Sequence, residues 1–207
     1  MIIKVCGIKD ADNLKAICKL DIDWVGFNFY PASSRFTEDA SLVNHVPIHI
    51  KKVGVFVNAS YSEIIEKALY FKLDYAQLHG DETDEFCAAI QERISVIKAF
   101  SIQDEEDIKR ASEYRNVDYF LFDTKVNTYG GSGKKWDWSL LNGIENSVPF
   151  LLAGGIGPED VEKIKSLKHS KFKGVDINSR FEVSPGIKDV LKIKTFAEAI
   201  KDKSVES

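Results

Sequence analysis

Two side chains in this sequence, Cys6 and Asp123, are of the types that move protons and sit where they could do so. Near the N-terminus, period-two alternation puts Lys4 and Cys6 on one face of a short strand and Ile3 and Val5 on the other. A thiol of reference pKa about 8.5 beside an ammonium can become a thiolate, and a thiolate is a base. Asp123 ends the run Tyr119-Phe120-Leu121-Phe122. Desolvation at the end of such a strand raises a carboxyl's pKa and equips it to donate a proton. Each residue also has a plainer reading, the cysteine as core packing and the aspartate as a turn or helix cap. Cys18 and Cys87 read as packing alone.

The next chemistry is anion binding. Leu152-Ala153-Gly154-Gly155-Ile156-Gly157-Pro158 runs from a strand through glycines into a helix start, so exposed amides and a helix N-terminus can hold a phosphate. Asn178 and Ser179 stand at the next strand end, beside that turn in a barrel. The glycines could otherwise serve only as tight turns. They make no dinucleotide fingerprint, because Asp160 stands where the third glycine belongs. Gly130-Gly131-Ser132-Gly133-Lys134 has Thr128 in place of the first glycine of a Walker A loop. Arg35 offers a planar fork for a carboxylate, or is a solvated loop residue. His45 and His49 lack a third ligand nearby, so no catalytic metal is expected.

These residues need a scaffold that brings them together. Eight short strand-like runs, residues 2–6, 24–29, 52–57, 75–78, 95–100, 119–123, 150–153 and 174–177, alternate with amphipathic stretches at 10–20, 37–44, 61–71, 82–93, 104–114, 138–142, 157–167 and 187–199. Ser60, Thr83, Gln103 with Asp104, and Pro158 mark helix starts. Ile64, Ile65, Ala68 and Phe71 make a sheet-facing stripe. The pattern predicts a single-domain α/β protein, a (β/α)8 TIM barrel over residues 1–200 with a polar tail at 201–207, the alternative being an open doubly wound sheet. In a barrel, Cys6, Arg35, His79, Asp123, Gly154, Gly155, Asn178 and Ser179 all fall on the rim at the C-terminal strand ends.

Composition narrows the function. A chain of 207 residues can bury roughly 70% of its unfolded surface without metal or disulfide. With 28 Lys+Arg against 32 Asp+Glu the net charge is −4, which argues against a nucleic-acid footprint. No apolar run approaches the ~20 residues of a membrane span, and the N-terminus carries no signal segment, so a cytoplasmic protein is expected.

Several pieces then form a pattern: Lys4-Val5-Cys6-Gly7-Ile8, Gly26-Phe27-Asn28-Phe29-Tyr30-Pro31 with Ser34-Arg35, Val53-Gly54-Val55-Phe56-Val57-Asn58, and Gln77-Leu78-His79-Gly80-Asp81-Glu82. Asp123, the Gly130–Lys134 loop, Leu152-Ala153-Gly154-Gly155, Gly174-Val175-Asp176 and Pro185-Gly186-Ile187-Lys188-Asp189 complete it. In order and spacing the chain resembles the phosphoribosylanthranilate isomerase family of tryptophan biosynthesis. The resemblance implies a monomeric or homodimeric barrel without metal or coenzyme. Its reaction would be an Amadori rearrangement of N-(5-phosphoribosyl)anthranilate to 1-(2-carboxyphenylamino)-1-deoxyribulose 5-phosphate. It further implies Asp123 as general acid, Cys6 as general base, Arg35 on the anthranilate carboxylate, the loops after strands seven and eight on the phosphate, and Gln77 and His79 lining the pocket. Two positions depart from the family. Arg180 replaces a glycine after Asn178-Ser179 and could add a guanidinium to the phosphate, and Asn28 brings a polar group towards the barrel interior. The rival readings are a metal-dependent phosphosugar epimerase, an indole-glycerol phosphate synthase, and a phosphate-binding module without chemistry. The first lacks its metal ligands here, the second expects paired lysine and glutamate catalysts and an N-terminal extension before the first strand, and the third has no use for Cys6 and Asp123 together.

Overall fold

Period-two alternation of β-branched and aromatic residues builds eight parallel strands, each with one face towards its helices and the other towards a common axis. A computed structural model describes residues 1–124, 138–143 and 147–202. The strands are β1 (Ile2–Cys6), β2 (Trp24–Asn28), β3 (Lys51–Phe56), β4 (Tyr75–Leu78), β5 (Ser95–Ile102), β6 (Tyr119–Thr124), β7 (Phe150–Leu152) and β8 (Phe172–Ile177). They close into a barrel in sequence order, β8 pairing with β1 so that Ile2 meets Gly174 and Lys4 meets Asp176. The open doubly wound alternative is thereby excluded.

Apolar residues facing outward, such as Ile3, Val5, Phe27, Phe120 and Val175, form one continuous core with the helices. Inside the barrel a smaller cluster holds Trp24, Val53, Ile97, Ala99, Leu121 and Leu151. Trp24, Tyr75 and Tyr119 open the alternate strands β2, β4 and β6. Their rings meet at 4.8 to 5.9 Å and plug the N-terminal end of the barrel. The floor is therefore aromatic, which leaves the opposite rim for polar side chains.

The helices are α1 (Ala11–Ile17), α2 (Tyr61–Tyr70), α3 (Asp84–Gln91), α4 (Glu105–Ala111), α5 (Val161–Ser166) and α6 (Val190–Lys201). Ser60, Thr83 and Asp104 cap α2, α3 and α4, each side chain accepting from a first-turn amide. Gln103 lies outside its helix, its amide donating to Asp107. Ile64, Ala68 and Phe71 are buried, as their spacing predicts.

Four expected helices come out differently. After β2 only a 3-10 turn forms, Ala40–His45, because Thr37 still pairs with Asn28 and Pro47 holds Val46 extended. Trp138–Gly143 is likewise a 3-10 segment, and the span expected at 157–167 divides into a 3-10 turn, Pro158–Asp160, followed by α5. The stretch expected at 187–199 begins as a hairpin, β9 (Glu182–Ser184) with β10 (Ile187–Lys188), turning at Gly186 with φ +88°. Asp189 then caps α6. Lys201 and Asp202 belong to the end of this helix rather than to a tail, and Lys201 pairs with Asp21 and Asp23. The glycines at 130, 131 and 133 and the tail residues 203–207 lie outside the described residues.

Candidate active site

At the C-terminal rim the inward-facing positions of successive strands surround a cavity of about 430 Å³. Cys6 comes from β1, Asn28 from β2, Val55 from β3, Gln77 from β4, Ser101 from β5, Asp123 from β6 and Asp176 from β8. The loops after β4, β7 and β8 add His79, Gly154, Gly155, Asn178 and Ser179. Of the residues expected from sequence, Cys6, Asp123, Gln77, His79, Gly154, Gly155, Asn178 and Ser179 meet here. Arg35 and Arg180 stand outside the lining.

Cys6 is seated by a glycine. On β2, paired with Cys6 across the ladder, Gly26 would place a Cβ 2.8 Å from the Cys6 sulfur, so any side chain there would push the thiol aside. Below it Lys4, fully buried, donates to Asp176 Oδ2 at 2.9 Å. Contrary to the expected lowering, the Cys6 thiol stays above its usual range: burial pushes it up and Asp176 adds to the rise, and the ammonium groups of Lys4 and Lys188 take back only part. Burial also works against the Lys4 charge, yet the Asp176 carboxylate and Cys6 outweigh it and hold Lys4 above the usual lysine range. The expected thiol beside an interior lysine is thus present, and the closed barrel adds a carboxylate on that lysine from β8.

Across the cavity Asp123 faces inward from β6 with 28% of its side chain exposed, so it keeps contact with solvent instead of being sealed by the phenylalanines before it. Alternation sends Phe120 and Phe122 outward into the core. Its ring neighbour is His79, Nε2 to Oδ2 at 3.5 Å. Gln77, 1% exposed, sets its amide nitrogen 3.1 Å from His79 Nδ1. In that orientation Nδ1 accepts and Nε2 carries the proton towards Asp123.

The turn after β7 has φ of +84° at Gly154 and +67° at Gly155, conformations that suit glycine. It opens backbone towards Asn178 and Ser179 after β8. The expected helix N-terminus contributes less, since the Gly157 amide donates to the Asp160 carboxylate at 2.8 Å and α5 is only 6 residues long. Asn178 Oδ1 is held by Lys188 Nζ at 2.7 Å. Arg180 turns away, its guanidinium 2.7 Å from Glu159, and each side chain is 52% exposed.

Arg35 lies at the rim over Gly7, whose φ of +76° and missing side chain let it pass, a Cβ there standing 2.6 Å from Arg35 Cδ. Glu182 grips it from the hairpin, accepting from Nε at 2.9 Å and from Nη2 at 2.6 Å. With Lys188 and the Gly186 amide also donating to it, and against the effect of burial, the Glu182 carboxyl is lowered to about 2. Sequence reasoning missed Glu182, Lys188 and the Lys4–Asp176 pair. The one signal was a lysine predicted to point into a barrel, which must find an anion there. Among the described residues no cluster of three metal-ligating side chains occurs, and no helix is long and apolar enough to cross a membrane. Cys18 and Cys87 are buried, and burial pushes their thiols up to about 11 and about 12.

This arrangement has close relatives. The sequence profile of the N-(5'phosphoribosyl)anthranilate (PRA) isomerase family matches residues 3–199. The N-(5'-phosphoribosyl)anthranilate isomerase of Parabacteroides distasonis is 48% identical over 213 residues, spanning 100% of this chain and 96% of its own. That of Phocaeicola vulgatus is 42% identical over 205 residues, with 98% and 99% covered. The crystal structure of the Thermotoga maritima isomerase superposes with a TM-score of 0.88 at 40% identity, over 97% of this chain and 99% of that one. A phosphoribosyl anthranilate isomerase in complex with reduced 1-(o-carboxyphenylamino)-1-deoxyribulose 5-phosphate superposes at 0.85 with 36% identity, again over 97% and 99%. With a profile match over nearly its whole length and an acid, a thiol and a glycine turn around one cavity, the chain belongs to the N-(5'-phosphoribosyl)anthranilate isomerase family, the aldose-ketose isomerases that convert N-(5'-phosphoribosyl)anthranilate to 1-(2-carboxyphenylamino)-1-deoxyribulose 5-phosphate in tryptophan biosynthesis.

Proposed function

We propose that Cys6 and Asp123 divide the proton transfers of this isomerisation between them. Asp123 protonates the furanose ring oxygen, the C1–O bond breaks, and the anilino nitrogen's lone pair forms the C1 iminium. Cys6 thiolate then removes the C2 proton, and the released pair forms the C1–C2 double bond of an enolamine, which tautomerises to the ketone. The observation that carries this reading is the placement of both groups at inward positions of separate strands, facing one cavity. Lys4 supports the thiolate by charge, and His79 presents its Nε2 proton to the Asp123 carboxylate left after donation.

The phosphate is assigned to the turn at Gly154 and Gly155 with Asn178 and Ser179. The anthranilate carboxylate is assigned to Arg35, whose Nε and Nη2 are occupied by Glu182, so the contact would be made through Nη1. Arg180 joins the phosphate only by giving up Glu159. The enzyme works in the cytoplasm without metal, coenzyme, nucleic acid or membrane, as a monomer or homodimer. A Thermotoga maritima relative is described as dimeric and has been made monomeric.

The test is loss of substrate fluorescence with purified protein and no added metal. Cys6→Ser and Asp123→Asn should each keep the fold, by circular dichroism, and lose roughly 10²–10⁴-fold in kcat. Activity within a few fold of wild type in either would remove that residue from its role.

A further inference from the structure

The two assigned groups leave a proton unaccounted for. Asp123 loses one proton to the ring oxygen, and Cys6 takes one from C2 and can return it to C1. Ketone formation also requires the C2 hydroxyl to lose its proton, and Asp123 must regain one before the next turnover. A base near O2 closes the cycle.

Asp176 has the properties such a base needs. It lines the cavity beside Cys6 and is 8% exposed. Lys4 occupies Oδ2, while Oδ1 is buried with no hydrogen-bond partner among the described residues. An orphan carboxylate oxygen at the wall of a sugar-phosphate site costs stability unless a donor arrives, and a hydroxyl is the donor the substrate carries. The groups acting on Asp176 are Lys4, Asp123 and His79, and it in turn acts on Cys6. It therefore shares the cavity with both the base and the acid and is felt by each. Burial raises the proton affinity of its carboxyl and Lys4 takes back part of that rise, which suits a transient proton acceptor.

Resting on the Cys6 and Asp123 assignments, we propose that Asp176 is a third catalytic residue, accepting the substrate's C2 hydroxyl proton through Oδ1 during ketonisation. The O2–H pair becomes the C2 carbonyl, the C1–C2 pair takes the Cys6 proton at C1, and the thiolate is restored. Asp176 then passes its proton to Asp123 through solvent in the cavity that both line, and every group returns to its starting state.

The experiment runs Asp176→Asn in D2O on phosphoribosylanthranilate generated in place, with mass spectrometry of the unreacted substrate. The expected result is a kcat lower by roughly 100-fold, together with deuterium at C2 of residual substrate, because C–H cleavage still occurs and reverses while ketonisation stalls. The C2-deuterium isotope effect on kcat should shrink accordingly. A rate loss without exchange, or a kcat within threefold of wild type, overturns the proposal, the first showing that Asp176 only steadies Lys4 and Cys6 and the second that Asp123 takes the O2 proton itself. If Asp176→Asn does not fold, Lys4→Met/Asp176→Asn compared with Lys4→Met gives the same readout, since removing a buried pair together costs less than removing one partner. Exchange that persists in Cys6→Ser/Asp176→Asn would instead show that Cys6 is not the base, which separates failure of the underlying assignment from failure of this one.

Discussion

Lys4 with Asp176 and Lys98 with Glu82 are both buried lysine–carboxylate pairs on barrel strands, yet their surroundings differ. Lys98 Nζ reaches Glu82 at 3.0 Å and the carbonyls of Leu78, Gly80 and Ala99 at 2.8 to 3.2 Å. Glu82 accepts from the amides of Asn58 and Gly80. Every lone pair and proton that can be satisfied by backbone is satisfied, and the pair ties the loops after β3 and β4 to β5. Lys4, by contrast, is met by the side chains of Asp176 and Cys6 without a backbone carbonyl among the described contacts, and half of the Asp176 carboxylate has no partner among the described residues. A saturated buried ion pair holds structure, because breaking it strands a charge. An unsaturated one at a cavity wall keeps bonding capacity for a ligand.

The largest effect expected from this contrast is on stability. Lys98→Met should cost about 3–5 kcal/mol by leaving Glu82 uncompensated, seen as a Tm lower by about 10 °C or more in thermal unfolding. The folded fraction should turn over near the wild-type rate, and a large loss of kcat at unchanged Tm would erase the distinction between the two pairs.

A third buried cluster sharpens the comparison through pH. Glu182 has its carboxyl lowered from 4.5 to about 2 by Arg35, Lys188 and Gly186 against the effect of burial. A pKa below its unfolded value gives stability that is complete above about pH 4.5 and is lost as pH falls towards 2. The difference is worth about 3 kcal/mol. Glu182→Gln should be less stable by about that amount at neutral pH in urea titrations, with the gap closing as both proteins approach pH 2. A gap unchanged down to pH 2 would mean that the charge of Glu182 is not what matters.

At the open pair the stake is chemistry. Lys4→Met removes an ammonium that pulls the Cys6 thiol down, so the pH midpoint of Cys6 alkylation should rise and kcat at neutral pH should fall on the order of tenfold, about 1.4 kcal/mol. An unmoved midpoint would detach Lys4 from the thiol. The smallest effect should come from Arg180→Gly. With its guanidinium on Glu159 at the exposed rim, KM should stay within about threefold of wild type, since exposed pairs contribute about 0–1 kcal/mol. A tenfold rise in KM that narrows in added salt would instead put Arg180 on the phosphate.

Much of this molecule was legible in one dimension. Strand alternation depends only on neighbours two apart, so Lys4 and Cys6 could be turned inward from sequence, and Asp123 could be set at the rim end of its strand. Helix caps act over three residues, which is why Ser60, Thr83 and Asp104 were readable as helix starts. Glycines between a strand and a helix marked the turn at Gly154 and Gly155 for the same local reason. The misjudged segments were those where helical periodicity yielded to strand-like backbone pairing with a nearby segment. Ile187 and Lys188 pair with β9, and Thr37 is held by Asn28.

What the tertiary structure alone decided is which charges meet. Lys4 and Asp176 are 172 positions apart and become neighbours because β8 closes on β1 in one register. Arg35 meets Glu182 across 147 positions through a hairpin that folds over the rim, and Arg180 turns to Glu159 although its place in the chain suggested the phosphate. Periodicity determines the face a side chain occupies, since that is a property of the backbone repeat. Its partner depends on strand register and barrel closure, which are settled by burying the whole apolar surface at once.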